Sequence, residues 1–414
     1  MHITILALGS RGDIQPYAAL GKGLKNAGHE VRFITFESFA SLVAENKLDF
    51  YPIQGDAQAL VAKGGTDMLG LMQSFGSLAE GYARHLSAPL LGETDLILNQ
   101  LPAGLYGFDL AEKYGVPMVQ VAVIPLARTK MFPLMGFPKL PLPGYNKATY
   151  YLGEQMAWQM FRPVINRWRK QTLNLPPLST TGYFTQLGTR QFPIVNGFSQ
   201  HVVPRPTDWN EHIHITGYWF PENEHWQPSN DLLAFIEAGK PPVFIGFGSM
   251  PIKDPQRTTT IVLEALKQSG QRGILHMGWG NLGNRSLPDH VFKIDYAPYD
   301  WLFPKMAMVI HHGGSGTTAF GLRAGVPSFV IPFVFDQFYW GERIAQLGVG
   351  PKPIRYKELT IERLRDAINL GVGNPQMKKN AAELGQKIQA ENGIENALTL
   401  FEKLSYTDIR HEKF

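Results

Sequence analysis

Two histidines run into a glycine-rich turn at His311-His312-Gly313-Gly314-Ser315-Gly316-Thr317-Thr318. Glycines let a backbone approach a ligand closely, and the first N–H groups of a helix carry partial positive charge. The hydroxyls of Ser315, Thr317 and Thr318 and a ring N–H of His312 add further donors. This set suits a phosphate or diphosphate. A glycine turn alone is more often plain strand-to-helix punctuation. The histidine pair before it, and Asp336-Gln337 after the next apolar run, turn the reading toward an anion site. Near the amino end, Gly9-Ser10-Arg11-Gly12-Asp13 closes another apolar run. Asp13 stands where a carboxylate complements a helix dipole, a common structural role that leaves chemistry open to it.

These residues need elements to hold them. Residues 307–310 read as a strand, 317–324 as a helix and 327–332 as a second buried strand, with Asp336-Gln337 on the loop beyond. In the amino half, 2–8 and 31–35 read as strands around a helix over 17–27, a β-α-β unit with its loop where doubly wound sheets bind ligands. Strands at 95–99 and 117–123 flank a helix at 105–114, and 192–196 reads as the last strand of the first domain. The pattern restarts with a strand at 242–247 and the loop Gly248-Ser249-Met250. A helix at 258–269, a strand at 273–277 and a strand ending near Asp295 follow, and 360–370, 375–391 and 395–404 are amphipathic helices. Prolines at 204, 206 and 221 mark the stretch between the halves. The fold expected is α/β, two Rossmann-like halves facing across a cleft.

At 414 residues there is room for two ordinary domains. A chain 44% hydrophobic and 18% charged is globular rather than disordered. With no cysteine, disulfides, thiolate catalysis and cysteine-ligated metal centres are excluded. A net charge of +4 is too small to argue for nucleic acid, though it permits attraction to anionic lipid. The start shows no secretory signal, and no apolar run reaches the ~20 residues that span a bilayer. A soluble cytoplasmic protein is expected, with peripheral membrane contact at most.

Other patterns compete. The Gly9–Asp13 loop lacks the full G-x-G-x-x-G, and its acidic candidate Glu37 lies too far on for a dinucleotide oxidoreductase. His212 and His214, on alternate positions of a short strand in the stretch between the halves, lack a third ligand and read as structural. Neither Ser249 nor Ser315 sits in the G-x-S-x-G of a serine hydrolase. Residues 68–91 are rich in Met and Leu, which more often make core than pocket. Residues 125–145 hold too many prolines for a helix or central strand and read as an apolar binding loop. The helix expected over 148–171 mixes Trp158, Phe161 and Trp168 with Arg162, Arg167, Arg169 and Lys170; a solvated face explains this, as does a membrane surface.

HHGGSGTT, the downstream RAGVP, PFVFDQFYWGERI and LGVGPKPI resemble the donor signature of nucleotide-sugar glycosyltransferases of the GT-B fold. The likeness is to the branch with sterol glucosyltransferases and the glycosyltransferases of glycopeptide antibiotics, and it extends to the amino terminus. The resemblance implies an acceptor domain over 1–215, a donor domain over 216–395, and a helix over 396–414 crossing back. It implies that Tyr296, Pro298 and Trp301 surround the base and that Trp279 also contacts the donor, though Trp301 reads equally as a hydrophobic anchor. Ser249 and the His312, Gly314, Ser315, Gly316 and Thr317 turn would hold the diphosphate, with Ser10, Arg11 and Gly12 on the donor's other side. Asp336 and Gln337 match the pair that binds the hexose. Plant relatives carry a glutamate for the ribose where this chain has Phe320, so ribose recognition is left without a residue.

An alcohol attacks poorly while it keeps its proton, so a base is needed. The resemblance assigns that role to Asp13, in an inverting transfer from a UDP-hexose. Met72, Phe75, His85, Met131, Phe132 and Met135 are the acceptor-side candidates, and they suit a lipophilic alcohol such as a sterol, terpenoid or polyphenol. No D-x-D pair occurs, so neither a metal nor another cofactor is expected. A sugar-nucleotide epimerase and a non-catalytic sugar-nucleotide or lipid binder are the alternatives.

Overall fold

A computed structural model describes residues 1–55, 93–100, 105–190, 192–221, 226–283 and 286–407. These residues form two compact units. The first holds those up to Pro221 and from Asn392 onward; the second holds those from 226 to Glu391.

The first unit is built on a parallel sheet of β1 (His2–Leu6), β2 (Glu30–Phe36), β3 (Asp49–Ile53), β4 (Leu96–Gln100), β5 (Met118–Ala122), β6 (Ile194–Asn196) and β7 (Ile213–Ile215). The order is β3-β2-β1-β4-β5-β6-β7. Its central strands β4 and β5 are buried along their whole length, as strands covered on both faces must be. The sequence reading ended this sheet at residue 196; β7 extends it by pairing Ile194 to Ile213 and Asn196 to Ile215. The polar His212-Ile213-His214 alternation suits an edge strand, where one side lacks a neighbour.

Helices α1 (Arg11–Asn26), α2 (Ala40–Glu45), α3 (Leu105–Tyr114), α4 (Tyr145–Trp168) and α5 (Gly182–Arg190) belong to this unit. Helix α4 continues into one wider turn, Arg169–Leu173. There the buried Arg169 guanidinium bonds Asp109 and Glu112 of α3, and its Nε donates to the Pro176 carbonyl at 2.8 Å. That ion group fixes the far end of α4, because a buried charge is tolerated only when paired.

The second unit has a parallel sheet of β8 (Val243–Gly246), β9 (Gly273–His276), β10 (Val291–Ile294), β11 (Met308–His311) and β12 (Ser328–Val330). The order is β10-β9-β8-β11-β12. Its helices are α6 (Asn230–Glu237), α7 (Pro255–Gln268), the single turn α8 (Tyr299–Leu302), α9 (Ser315–Arg323), α10 (Asp336–Gln346), α11 (Ile361–Gly373) and α12 (Pro375–Gln389). Val243, Ile245, Ile310 and Phe329 from the strands, with Ile331 just past β12, meet Val262, Leu266, Leu364 and Ile368 from α7 and α11 in one core. Asp336 and Gln337 were expected on a loop; they open α10, because the chain turns sharply at Phe335 and helix begins at once.

The last helix, α13 (Gly393–Thr407), packs within the first unit. A Cβ on Gly23 of α1 would sit 2.3 Å from Cγ2 of Ile394, so only glycine admits this approach. Asn396 Nδ2 donates to the Thr216 carbonyl at 2.8 Å.

In both sheets the strand order reverses beside the first strand of the unit, at β1/β4 and at β8/β11. Doubly wound sheets bind ligands outside the carboxyl ends of the strands at such a reversal.

Candidate active site

In the first unit, the loop leaving β1 carries Ser10, Arg11, Gly12 and Asp13 into the start of α1. Asp13 is the third residue of the helix, and its Oδ2 accepts from the Ser10 N–H and the Ser10 hydroxyl, each at 2.8 Å. Gly9 has φ 145°, and a Cβ there would lie 2.7 Å from Oδ2, so the loop's backbone is laid directly on the carboxylate. Gln100, at the end of β4, accepts from the Leu8 N–H at 2.5 Å and pins the loop from the neighbouring strand. Burial raises the Asp13 pKa, with the two Ser10 bonds acting against it. The result is a partly buried carboxylate with a held rotamer and raised basicity, as a general base requires. Arg11 and Gly12 are exposed at the helix start.

In the second unit, three loops meet at the carboxyl ends of β9, β8 and β11. Gly248 and Gly278 have φ 55° and 54°. A Cβ on Gly278 would come 2.4 Å from the Gly248 carbonyl oxygen, to which Trp279 N–H donates at 2.9 Å. The loop bearing Ser249 and the loop bearing Trp279 are thus in backbone contact.

The His312 ring lies between two glycines. A Cβ on Gly248 would meet its Cε1 at 3.0 Å, and one on Gly314 its Nε2 at 2.5 Å. His312 is only 8% exposed, and its Nδ1 is buried without a hydrogen-bond partner among the described residues. Burial, and then the His276 charge, lower its pKa to about 4, so the ring is neutral at pH 7. A buried polar atom with no partner points to a missing acceptor or donor. His311, one residue earlier, accepts the Gly313 N–H on its own Nδ1 at 3.1 Å and so sets the direction of the turn.

Helix α9 begins at Ser315 behind Gly314, which has no side chain to cap it. Elsewhere in this unit α6, α7, α11 and α12 are capped by Ser229, Asp254, Thr360 and Asn374. The open first turn of α9 is therefore set apart from those four, and its N–H groups are available to an anion. Gly314, Gly316 and Thr317 are partly exposed there, while Ser315 and Thr318 are buried.

Phe335 holds φ 47° and ψ −119°, a conformation that non-glycine residues rarely adopt. It delivers Asp336 to the first turn of α10, where Oδ2 accepts from Trp340 Nε1 at 3.1 Å. Gln337 turns its amide inward. Its Oε1 accepts from Phe333 and Val334 N–H at 2.8 and 3.1 Å, and its Nε2 donates to Met250 Sδ at 3.1 Å. At 4% exposure the amide is committed to the protein rather than turned outward, because it closes the tight turn before α10.

The remaining candidates divide. Tyr296 is exposed, and Pro298 precedes α8. Trp301 is engaged by Trp226, with ring centroids 5.0 Å apart, and by Lys305 Nζ at 4.2 Å, the environment of an anchor. Phe320 points inward against Tyr299 at 5.9 Å. Met131 is exposed, Phe132 intermediate, and Met135 buried in the core. Met72, Phe75 and His85 lie outside the described residues. Gln100 and Phe335 were missed by sequence reasoning, which read Gly9 and His311 only as parts of their motifs; the polar Asn99-Gln100 ending an apolar strand was the available signal for Gln100.

Comparison with known proteins identifies the family. Residues 3–92 match the glycosyltransferase family 28 N-terminal domain, and residues 262–396 match the C-terminal domain described as erythromycin biosynthesis protein CIII-like. A sterol 3-beta-glucosyltransferase of Arabidopsis thaliana is 38% identical over 97% of this chain, which spans 68% of that protein. One of Aspergillus clavatus is 35% identical over all of this chain, which spans only 30% of it. The glycosyltransferase of kitacinnamycin superposes with a TM-score of 0.74 at 20% identity, covering 97% of this chain and 98% of its own. The chain therefore belongs to the family of GT-B glycosyltransferases that includes the sterol 3-beta-glucosyltransferases.

Proposed function

We propose that this glycosyltransferase moves glucose from UDP-glucose to the hydroxyl of a sterol or a similarly lipophilic alcohol, with inversion at the anomeric carbon. The observation that carries the donor half is the uncapped start of α9 beside the His312 ring, whose Nδ1 has no hydrogen-bond partner among the described residues. Glucose and sterol are supported by the names of the relatives. Asp13 takes the hydroxyl proton as the acceptor oxygen bonds the anomeric carbon. The bond from that carbon to the diphosphate breaks, and its electron pair leaves with UDP. Backbone N–H groups of α9 and the neutral His312 ring stabilise the charge that develops on the leaving diphosphate. With that charge met by protein donors, the reaction runs without a metal, and turnover should survive a chelator.

The test is UDP release with UDP-glucose in the presence and absence of a sterol, with the product read by mass spectrometry. Release only with acceptor, and a product heavier by one hexose, supports transfer. Conversion of a UDP-sugar with no acceptor would indicate an epimerase, and UDP-sugar binding without any turnover would indicate a binding protein.

A further inference from the structure

We propose that the first unit docks on a bilayer containing anionic lipid through the loop before α4 and the outer face of that helix. Met131, Leu140, Leu142, Tyr151, Leu152 and Met156 are 61, 43, 59, 47, 53 and 54% exposed. Among the described residues the other exposed large apolar side chains are Met1, Tyr296 and Leu370, which are scattered along the chain. Single exposed apolar residues are ordinary, whereas a cluster of them marks an interaction surface. Ala148, Leu152 and Met156 recur every fourth residue, and all three are exposed, so they share one side of α4.

The loop is held on the helix as a platform. Leu134 N–H donates to Thr149 Oγ1 at 2.8 Å, and Asn146 Nδ2 donates to the Lys130 carbonyl at 2.8 Å. Asp208 accepts from the Thr129 hydroxyl at 2.6 Å and from Lys130 N–H at 2.8 Å, fixing the base of the loop. A Cβ on Gly153 would meet Leu134 Cδ2 at 2.3 Å, so the loop lies flat on the helix there.

Charge selects the occupant. Residues 128–170 hold eight Lys and Arg against one acid, Glu154, an excess of +7 where the whole chain carries +4. Glu154 is bonded to Arg128 at 2.9 Å, and Arg169 is neutralised by Asp109 and Glu112. Lys130, Lys139 and Lys147 alternate with the apolar residues along the chain, a composition suited to interfacial burial beside anionic headgroups. A second copy of the chain on this face would set lysines against lysines.

The experiment needs neither donor nor acceptor, so it is independent of the reaction proposed above. Sedimentation with phosphatidylcholine vesicles, with and without phosphatidylserine, measures binding of the whole protein. Binding should be about tenfold tighter with phosphatidylserine and weaken as salt is added. Leu142→Asp/Leu152→Asp/Met156→Asp should lower it about tenfold or more, and Lys130→Glu/Lys139→Glu should erase the preference for phosphatidylserine. The single variant Leu142→Asp and the wild-type salt series keep the test decisive if the triple variant unfolds. Wild-type protein that stays in the supernatant overturns the proposal, as does a folded triple variant that binds like wild type. So does a triple variant that turns a wild-type dimer into a monomer without changing vesicle binding.

Discussion

Ser10 gives two donors to one atom: its backbone N–H and its hydroxyl each lie 2.8 Å from Oδ2 of Asp13. Neither bond falls on Oδ1, so the carboxylate is anchored by one oxygen and keeps the other for a proton. A base with a held rotamer loses less entropy when it engages an acceptor.

Asp13→Asn preserves that anchoring and removes the proposed base. Turnover should fall about 10²- to 10⁴-fold, the usual contribution of a general base. The melting temperature at pH 7 should not fall, because burial raises the Asp13 pKa and the ionised form is the disfavoured one. In the wild type, kcat/KM should decline as pH drops through that raised pKa, and the stability from this group should run the opposite way, lost as pH rises through it. A variant that keeps wild-type turnover would remove Asp13 from the mechanism.

His312→Ala should weaken UDP binding by isothermal titration calorimetry and lower kcat with it. The wild-type ring has its pKa lowered to about 4, so it stays neutral through the pH 5–8 range. Protein titration at His312 should therefore produce no step in UDP affinity near 6.5. A step there that vanishes in His312→Ala would mean a charged imidazole in the complex.

His311 and His312 together should make the second unit acid-labile. Burial is the main cause that lowers the two rings to about 3 and about 4. Between the ordinary value of 6.5 and these, the unfolded chain binds two protons that the folded chain refuses. Stability is thus complete above 6.5 and is lost as pH falls, by up to about 2.7 kcal/mol per pH unit. His311→Asn, whose amide oxygen can still accept from Gly313, should roughly halve that slope in urea titrations between pH 6.5 and 4.

Gly278→Ala places a methyl group where the Gly248 carbonyl oxygen would be 2.4 Å away, at a backbone φ of 54°. The change should destabilise by more than about 1 kcal/mol. With Trp279 and Ser249 as the donor contacts the sequence suggests, donor KM should rise, because the two move together. Unchanged stability and KM would show that the two loops yield independently.

The alternation of short apolar runs with helical patterns made the central strands of both sheets legible from sequence, because parallel strands buried on two faces are mostly apolar; the edge strand β3, whose Asp49 is exposed and Phe50 and Tyr51 only partly buried, was not read. The His312 turn was legible for a local reason: strand, glycines and helix start occupy consecutive residues. What lay hidden depends on neighbours distant in sequence. The inward bonds of the Gln337 amide to the Phe333 and Val334 N–H groups depend on a tight turn that no sequence pattern announces. Gln100 supports the Asp13 loop from across a strand pair, and β7 joins the sheet after a proline-rich stretch that reads as a boundary.

Because the Gly248 and Gly278 main chains touch, the segments carrying Ser249 and Trp279 behave as one rigid piece rather than two adjustable fingers. Retuning the enzyme toward a different nucleotide by altering one segment alone would strain the other. Changes of donor preference in this lineage should arise as coupled substitutions across both, and library designs that vary the two together should outperform single-loop randomisation.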